Sequence, residues 1–250
     1  MTSNDSHSIF AAKAGDIESL QQMMSSSDFQ WNPHTTAVAA EYGYLEFLKF
    51  CHAHDCPWDH FTSCYAAMNG HFDCLTFAYE HGAPLPDFVS NAACSGGSLD
   101  CLKYACEKGC PVDIHTSRIA AEHSLECLEY LHSIQCPMDV YTAISAAKNF
   151  KLKCLRFALE NGCSLKFEVC RSLNNHANNI DLDEHIWLRK QLFAIMEPIG
   201  VKMFMRVICK ELYDKVQAKI EEIKLQKQLA SIECSELPNE LVNFIICEYF

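Results

Sequence analysis

The chain has 250 residues, 49% hydrophobic and 21% charged, so it is long and apolar enough to bury a sizeable core. Its formal net charge is −12, and residues 1–168 carry 20 acidic side chains against 10 basic ones. Because phosphate backbones and anionic lipids are bound by basic surfaces, this balance argues against nucleic acid and membranes as partners. It permits a basic protein partner without requiring one.

Hydropathy and cysteine usage bear on the compartment. No run of about 18 apolar residues predicts a transmembrane helix, and the polar residues 1–8 do not resemble a signal peptide. Most of the 16 cysteines recur at fixed positions inside predicted helices, where a buried free thiol acts as a small hydrophobe. We therefore expect an intracellular, reduced, cytoplasmic protein rather than a disulfide-rich secreted one.

In chain order, residues 1–8 predict a short tail, and residues 9–168 then repeat one pattern six times. A leucine recurs at intervals of 28, 27, 27, 26 and 27 residues, as Leu20, Leu48, Leu75, Leu102, Leu128 and Leu155. Upstream of each lies a pair of small residues: Ala11-Ala12, Ala39-Ala40, Ala66-Ala67, Ala93-Cys94, Ala120-Ala121 and Ala146-Ala147. A fixed period in this range indicates structural repeats that stack on one another.

Each of repeats two to six is predicted to form two antiparallel helices. A threonine four residues before the small pair is a plausible N-cap of the first helix, as Thr35, Thr62, Thr116 and Thr142. Glycine turns into the second helix at Gly43, Gly70 and Gly97. Phe150 replaces this glycine in repeat six, where we expect Asn149 to adopt the left-handed conformation instead.

A short proline phrase follows most second helices, as in Cys56-Pro57-Trp58-Asp59, Cys110-Pro111-Val112-Asp113 and Cys136-Pro137-Met138-Asp139. Proline prevents the helix from continuing. The apolar residue after the proline position forms another column (Trp58, Leu85, Val112, Met138 and Leu165), so we expect it to be buried.

These phrases resemble ankyrin repeats. Residues 70–83, GHFDCLTFAYEHGA, are similar to the second half of such a repeat, and the stretch from Thr62 to His71 is similar to the first half. Ankyrin repeats have 33 residues, whereas these have about 27 and lack the span of the β-hairpin. The resemblance is to the hairpin-less type found in protists and giant DNA viruses. It implies an all-α, ankyrin-like solenoid of stacked helix pairs and a non-enzymatic protein-binding scaffold, which would act on host proteins if the chain is viral.

Beyond the repeats, residues 169–197 predict a degenerate capping repeat, and residues 198–234 a long amphipathic helix. That helix could pack on the end of the stack or bind a partner. Residues 235–250 resemble the opening helix of an F-box. The matching positions are Leu237, Pro238, Leu241, Ile245 and Tyr249. This resemblance implies an alternative role, a substrate adaptor that recruits a Skp1-type linker of a ubiquitin ligase, whereas a packed C-terminal helix explains the same pattern.

The predicted binding face follows from what varies between repeats. Without hairpins, the first helices and their turns form the exposed strip, and residues held constant for packing cannot encode a partner. The variable positions between the small pair and the second helix can. We therefore expect partner contacts at Tyr42, Met68, Glu122, His123 and Asn149.

Two cysteine patterns could suggest a metal site or a catalytic thiol. His52 and His54 in the stretch from Cys51 to Cys56 are two residues apart and diverge on a helix, which argues against a zinc site. The cysteines that precede the repeated leucine face the stack, where a catalytic thiol would lack access and a base. These are Cys74, Cys101, Cys127 and Cys154. We therefore predict no catalytic residue, no metal site and no cofactor.

Overall fold

The computed structural model describes residues 3–32, 34–164 and 169, and everything below concerns these residues. They form twelve α-helices and no strand. The helices are α1 (Ser3–Ala14), α2 (Ile17–Met24), α3 (His34–Glu41), α4 (Leu45–Ala53), α5 (Thr62–Met68), α6 (Phe72–Glu80), α7 (Val89–Gly96), α8 (Leu99–Glu107), α9 (Ile114–His123), α10 (Leu125–Ser133), α11 (Val140–Lys148) and α12 (Leu152–Glu160). All lie within the unit Met1–Leu173, the first of the two into which the chain divides.

The twelve helices stack as six antiparallel pairs. A short turn joins each odd-numbered helix to the next helix, and the two pack together. We call the odd-numbered helices the first helices and the even-numbered ones the second helices. Each first helix also packs on the first helices of its neighbours, and from α4 onward the second helices do the same. The predicted all-α solenoid of stacked helix pairs is thus confirmed in the described part of the chain.

The structure does not describe the residues on which the C-terminal predictions rest. The capping repeat at 169–197, the long helix at 198–234 and the F-box-like segment at 235–250 lie outside the described residues, apart from the single position 169. Among the helices that are described, none is long and apolar enough to span a bilayer.

The repeated leucine forms the centre of the core. All six leucines are fully buried, and the small pairs upstream of them are buried in every repeat. The small pairs let neighbouring first helices approach closely. At Gly96 a Cβ atom would lie 1.7 Å from the carbonyl oxygen of Met68, so no side chain fits between α5 and α7 there. The columns read from the sequence therefore mark one continuous interior.

The turns between paired helices follow the predicted glycines in part. Gly43, Gly70 and Gly97 have φ values of 76°, 73° and 69°. In repeat six the prediction was wrong, because Phe150 takes the left-handed conformation (φ 56°) while Asn149 has φ −93°. The amide of Phe150 donates to the carbonyl of Ala147, as the amide of Gly70 does to Ala67, so hydrogen bonding places Phe150 at the glycine position.

In repeat five no left-handed residue joins the paired helices α9 and α10. Here α9 continues to His123, and Ser124 in extended conformation (φ −141°, ψ 124°) ends α9 and begins α10. Its hydroxyl accepts a hydrogen bond from the amide of Cys127 at 3.4 Å. A serine N-cap thus replaces the missing glycine with a tighter junction.

The predicted threonine N-caps are wrong. In repeats five and six the aspartate of the proline phrase is the N-cap, and in repeat three the N-cap is Phe61. Asp113 and Asp139 accept from the backbone amides of Thr116 and Thr142, at 3.1 and 3.0 Å. Each threonine hydroxyl bonds the aspartate's own amide in return, which completes a capping box. Thr116 and Thr142 are therefore third helical residues rather than caps, while Thr35 and Thr62 are the second residue of α3 and the first of α5.

Two further expectations need correction. The predicted tail at residues 1–8 is helical from Ser3, since Ser8 is fully buried and its Oγ accepts from the Thr35 hydroxyl at 3.0 Å. The apolar residue of the proline phrase is half-buried rather than buried at Trp58 and at its described equivalents. The residue before the proline position is the buried one instead, as Cys56, Ala83, Cys110, Cys136 and Cys163.

Candidate protein-binding face

The five residues predicted to contact a partner lie along one edge of the stack, where the first helices end. We call this set, Tyr42, Met68, Glu122, His123 and Asn149, the turn row. Tyr42 and Met68 are 47% and 42% exposed, His123 and Asn149 are exposed, and Glu122 is half-buried. These exposures leave the side chains accessible to a partner, whereas the small pairs a few residues upstream are buried.

The turn row is spread over four repeats rather than gathered into one pocket. Tyr42 belongs to repeat two and Met68 to repeat three, while Glu122 and His123 belong to repeat five and Asn149 to repeat six. Repeat four contributes Ser95 and Gly96 at the matching positions. Since these two carry little or no side chain, the edge has a low saddle between Met68 and Glu122.

Contacts with neighbouring side chains hold the turn that carries Tyr42. Its ring stacks on Tyr44 with centroids 6.1 Å apart. His71 of the next repeat places its ring against Gly43, where a Cβ atom would lie 2.6 Å from the imidazole Nδ1. The same imidazole bonds the carbonyl oxygen of Glu41 through Nε2 at 3.1 Å. Contacts between adjacent repeats therefore fix the backbone that presents this end of the row.

A second row, which the sequence reasoning missed, lies at the opposite end of the first helices and is exposed at every member except the half-buried Phe61. Its members are aromatic side chains at intervals of 27, 27, 27 and 26 residues: His34, Phe61, Phe88, His115 and Tyr141. We call it the ring row. Phe88 and Tyr141 are 46% and 57% exposed. The signal was present as a column of rings two residues after the last position of the proline phrase.

The backbone amide of four of the five ring residues donates a hydrogen bond to the side chain two residues earlier. The amides of Phe61 and Tyr141 donate to Asp59 and Asp139 at 2.6 and 2.9 Å. The amides of His34 and His115 donate in the same way to the side-chain oxygens of Asn32 and Asp113, at 2.8 and 2.9 Å. Pro86 occupies the equivalent position in repeat four and has no side-chain acceptor. The backbone beneath most of the ring row is therefore fixed by the same bond.

The rings contact one another where repeats three and four meet. Phe61 and Phe88 have centroids 6.4 Å apart, and Phe61 stacks on Tyr65 at 5.8 Å. His60 lies against Phe61 at 4.1 Å. This group forms an aromatic cluster on the surface, a kind of patch that soluble proteins usually keep small.

The last ring of the row is covered by a cation of the chain itself. The Arg118 guanidinium lies 4.8 Å from the centroid of Tyr141 and makes a two-point ion pair with Asp139, at 3.2 and 2.5 Å. Burial acts to raise the pKa of the Asp139 carboxyl, but Arg118 and the amide of Thr142 together hold it below its ordinary value. This arrangement shows how the surface accommodates a guanidinium.

The cysteines occupy packing positions. Cys74, Cys101, Cys127 and Cys154 are all buried, and burial raises the pKa of Cys74 and Cys154 to about 11. Cys127 is the exception, because a hydrogen bond from Cys94 lowers its pKa, but its side chain is fully buried. A reagent or substrate in solvent cannot reach any of these four thiols in the folded protein.

The stretch from Cys51 to Cys56 is divided between interior and surface. Cys51 and Cys56 are buried, whereas the His52 ring is exposed and lies 5.7 Å from Trp58 and 4.8 Å from His81. Within the described ranges no three His, Cys, Asp or Glu side chains are placed to hold a metal ion together. His52 belongs instead to a surface cluster of rings.

Several solved structures resemble this chain, and one of them is an ankyrin repeat domain. No family model matches the chain, and no curated protein matches it. The crystal structure of the human ASB11 ankyrin repeat domain is 20% identical over 59% of this chain and 84% of that chain, with a TM-score of 0.46. At that identity and TM-score the match adds nothing to the geometry of the two exposed rows.

Proposed function

We propose that this chain is a non-enzymatic protein-binding scaffold, and that the turn row contacts its partner. One observation carries the proposal: positions that pack are the same in nearly every repeat, while exposed positions at the ends of the first helices differ. Tyr42, Met68 and His123 occur once each along an otherwise regular stack. A surface that varies on a constant frame is what selective recognition of a protein requires.

Affinity capture with matched variants tests the proposal. The full chain serves as bait beside a triple variant, Tyr42→Ser, Met68→Ser and His123→Ser. A control triple variant, His52→Ser, His132→Ser and Ile134→Ser, alters exposed residues of the second helices and their ends. Circular dichroism confirms that each bait is folded. We expect the turn-row variant to lose proteins that the wild type and the control retain. Equal capture by all three baits would exclude the turn row.

The adaptor alternative rests on the sequence of the C-terminal segment alone. Leu237, Pro238, Leu241, Ile245 and Tyr249 lie outside the described residues. If the segment recruits a Skp1-type linker, a chain ending at Cys234 stays folded and loses only that protein. If it packs as a structural helix, the same truncation lowers the melting temperature and no linker is captured by the full chain. Binding of host proteins by a viral scaffold would be tested with the same baits in host lysate.

A further inference from the structure

We infer that the ring row binds an extended, arginine-containing segment of a partner protein, with guanidinium groups lying over Phe61 and Phe88. This inference rests on the proposed scaffold function, but it concerns the opposite end of the first helices from the turn row. It assigns the chemistry of a partner to a surface for which the sequence reasoning made no prediction.

The first step is the exposure of the rings. Phe88 is 46% exposed, and its contact with Phe61 places two aromatic faces side by side across the junction of repeats three and four. Both rings belong to the cap regions of short helices, and neither is required to fill the leucine core. Phe61 is half-buried, so the apolar surface that gains by being covered is the exposed ring of Phe88 and the part of Phe61 that remains accessible beside it.

The second step is the charge of the surrounding edge. The loops that lead into α5, α7, α9 and α11 contain five acidic side chains and one lysine: Asp55, Asp59, Asp87, Asp113, Asp139 and Lys108. That lysine is already placed over rings of the chain, 5.1 Å from the centroid of Tyr104. A partner that covers the ring row therefore meets carboxylates and aromatic faces. This combination favours cationic side chains and disfavours nucleic acid or an anionic membrane.

The third step is a template within the molecule. Arg118 of repeat five lies over the ring of repeat six, Tyr141, and pairs with Asp139. The residue equivalent to Arg118 in repeat three is Cys64, which is buried. Cys64 supplies no cation to the ring of repeat four, Phe88. Pro86 stands at the position of Asp139, and the exposed Asp87 follows it directly before Phe88. An incoming guanidinium would therefore find a ring and a carboxylate one residue closer to it than in the Arg118 arrangement.

Arginine fits this surface better than lysine for a physical reason. The guanidinium is planar, stacks on aromatic faces and donates to a carboxylate at two points, whereas an ammonium is a compact and strongly hydrated charge. An extended backbone is the natural form for a segment that crosses successive repeats, because the rings of adjacent repeats follow one line along the edge.

Peptide binding to the full chain tests the inference. The probes are fluorescent peptides of alternating Arg and Ser, Lys and Ser, or Glu and Ser, each long enough to span two repeats. We expect the Arg peptide to bind more tightly than the Lys peptide and the Glu peptide not to bind. The double variant Phe61→Ala and Phe88→Ala should weaken Arg-peptide binding by about 10-fold or more. Asp87→Asn, which alters no packing, should weaken it by a smaller factor.

Controls keep the outcomes distinct. Phe10→Ala removes an aromatic side chain that is 67% exposed on α1 and should leave binding unchanged. The turn-row triple variant should also retain the peptide. If the affinity-capture test of the turn row fails, that result therefore counts against the proposed function and not against peptide binding by the ring row. Equal affinity for the Lys or Glu peptide, or equal loss in the Phe10→Ala variant, would overturn the inference. So would a wild-type dimer that the double variant converts to monomer, since a second copy would then cover the rings.

Discussion

The first and second helices of this solenoid build one core from two kinds of packing. Between first helices the contact is made by small residues, and at Gly96 the backbone of α5 comes so close that even a methyl group has no room. Between second helices the contact is made by a buried leucine flanked by rings, most of which are half-buried. The stability of the packing between first helices should therefore be sensitive to added atoms, and that of the packing between second helices to removed atoms.

The largest effect is expected for loss of a central leucine. Leu102→Ala removes a fully buried side chain of α8 and leaves a cavity between repeats, so it should lower the free energy of unfolding by about 2–5 kcal/mol. Phe72→Ala removes more carbon atoms, but from a side chain that is 38% exposed, and should cost less. Thermal and urea unfolding measure both. The reverse order would show that the leucine column is not the core.

For a substitution in the first helices, helix propensity and close packing predict opposite changes in stability. Alanine is a better helix former than glycine by about 1 kcal/mol, so local propensity predicts that Gly96→Ala stabilises α7. The close carbonyl oxygen of Met68 predicts the contrary, a loss of roughly 1–3 kcal/mol. Ser95→Ala on the same helix adds no atoms and serves as the control. A Gly96→Ala variant more stable than wild type would refute the close packing of first helices.

A smaller effect is expected at the caps, and it depends on pH. Asp139→Ala should cost about 1 kcal/mol at neutral pH. The amide of Thr116 lowers the pKa of Asp113, and the pKa of Asp139 is also lowered. Stability from these carboxylates is therefore full above their unfolded pKa, near 3.9, and is lost as the pH falls through the lower folded values.

Melting temperatures from neutral pH to about pH 3 check this linkage. The wild type should lose more stability on acidification than a variant with Asp113→Asn and Asp139→Asn. The side-chain amide oxygens of the two asparagines still accept the cap hydrogen bonds, and the asparagine side chains do not titrate between neutral pH and about pH 3. Parallel curves for the two proteins would mean that the caps contribute nothing through their charge.

The smallest expected change concerns thiol reactivity. Cys106 is half-buried, whereas the other described cysteines are buried, and burial raises the pKa of Cys64 to about 12. Alkylation of the native protein, followed by peptide-resolved mass spectrometry, should therefore modify Cys106 before Cys64, Cys74 or Cys154. Early modification of Cys74 would indicate that the second helices separate from the stack in solution.

The core could be predicted because identical environments select identical residues. Every leucine of the column is buried, and so is every small pair, since each repeat must fit the same neighbours. The three glycine turns were predictable for the same reason. The assignment of the turn-row residues as partner contacts stays a prediction, because exposure alone does not identify a binding site.

The parts that could not be predicted depend on geometry that a single sequence does not fix. Asp113 and Thr116 are both good N-cap residues, and only the reciprocal hydrogen bonds show which one is the cap. Phe150 takes a conformation that phenylalanine rarely adopts, because the turn hydrogen bonds of repeat six hold it there. The ring row was not predicted because its members differ in residue type and share only their position within the repeat.

Hydrogen–deuterium exchange of the full chain, alone and with a captured partner, tests the central claim most directly. If the outward ends of the first helices are the binding surface, the partner should slow exchange in α3, α5, α9 and α11 and in the turns and loops at their ends. Exchange on α4, α6, α8 and α10 should change little. Protection confined to the second helices, with the first helices unaffected, would contradict the account.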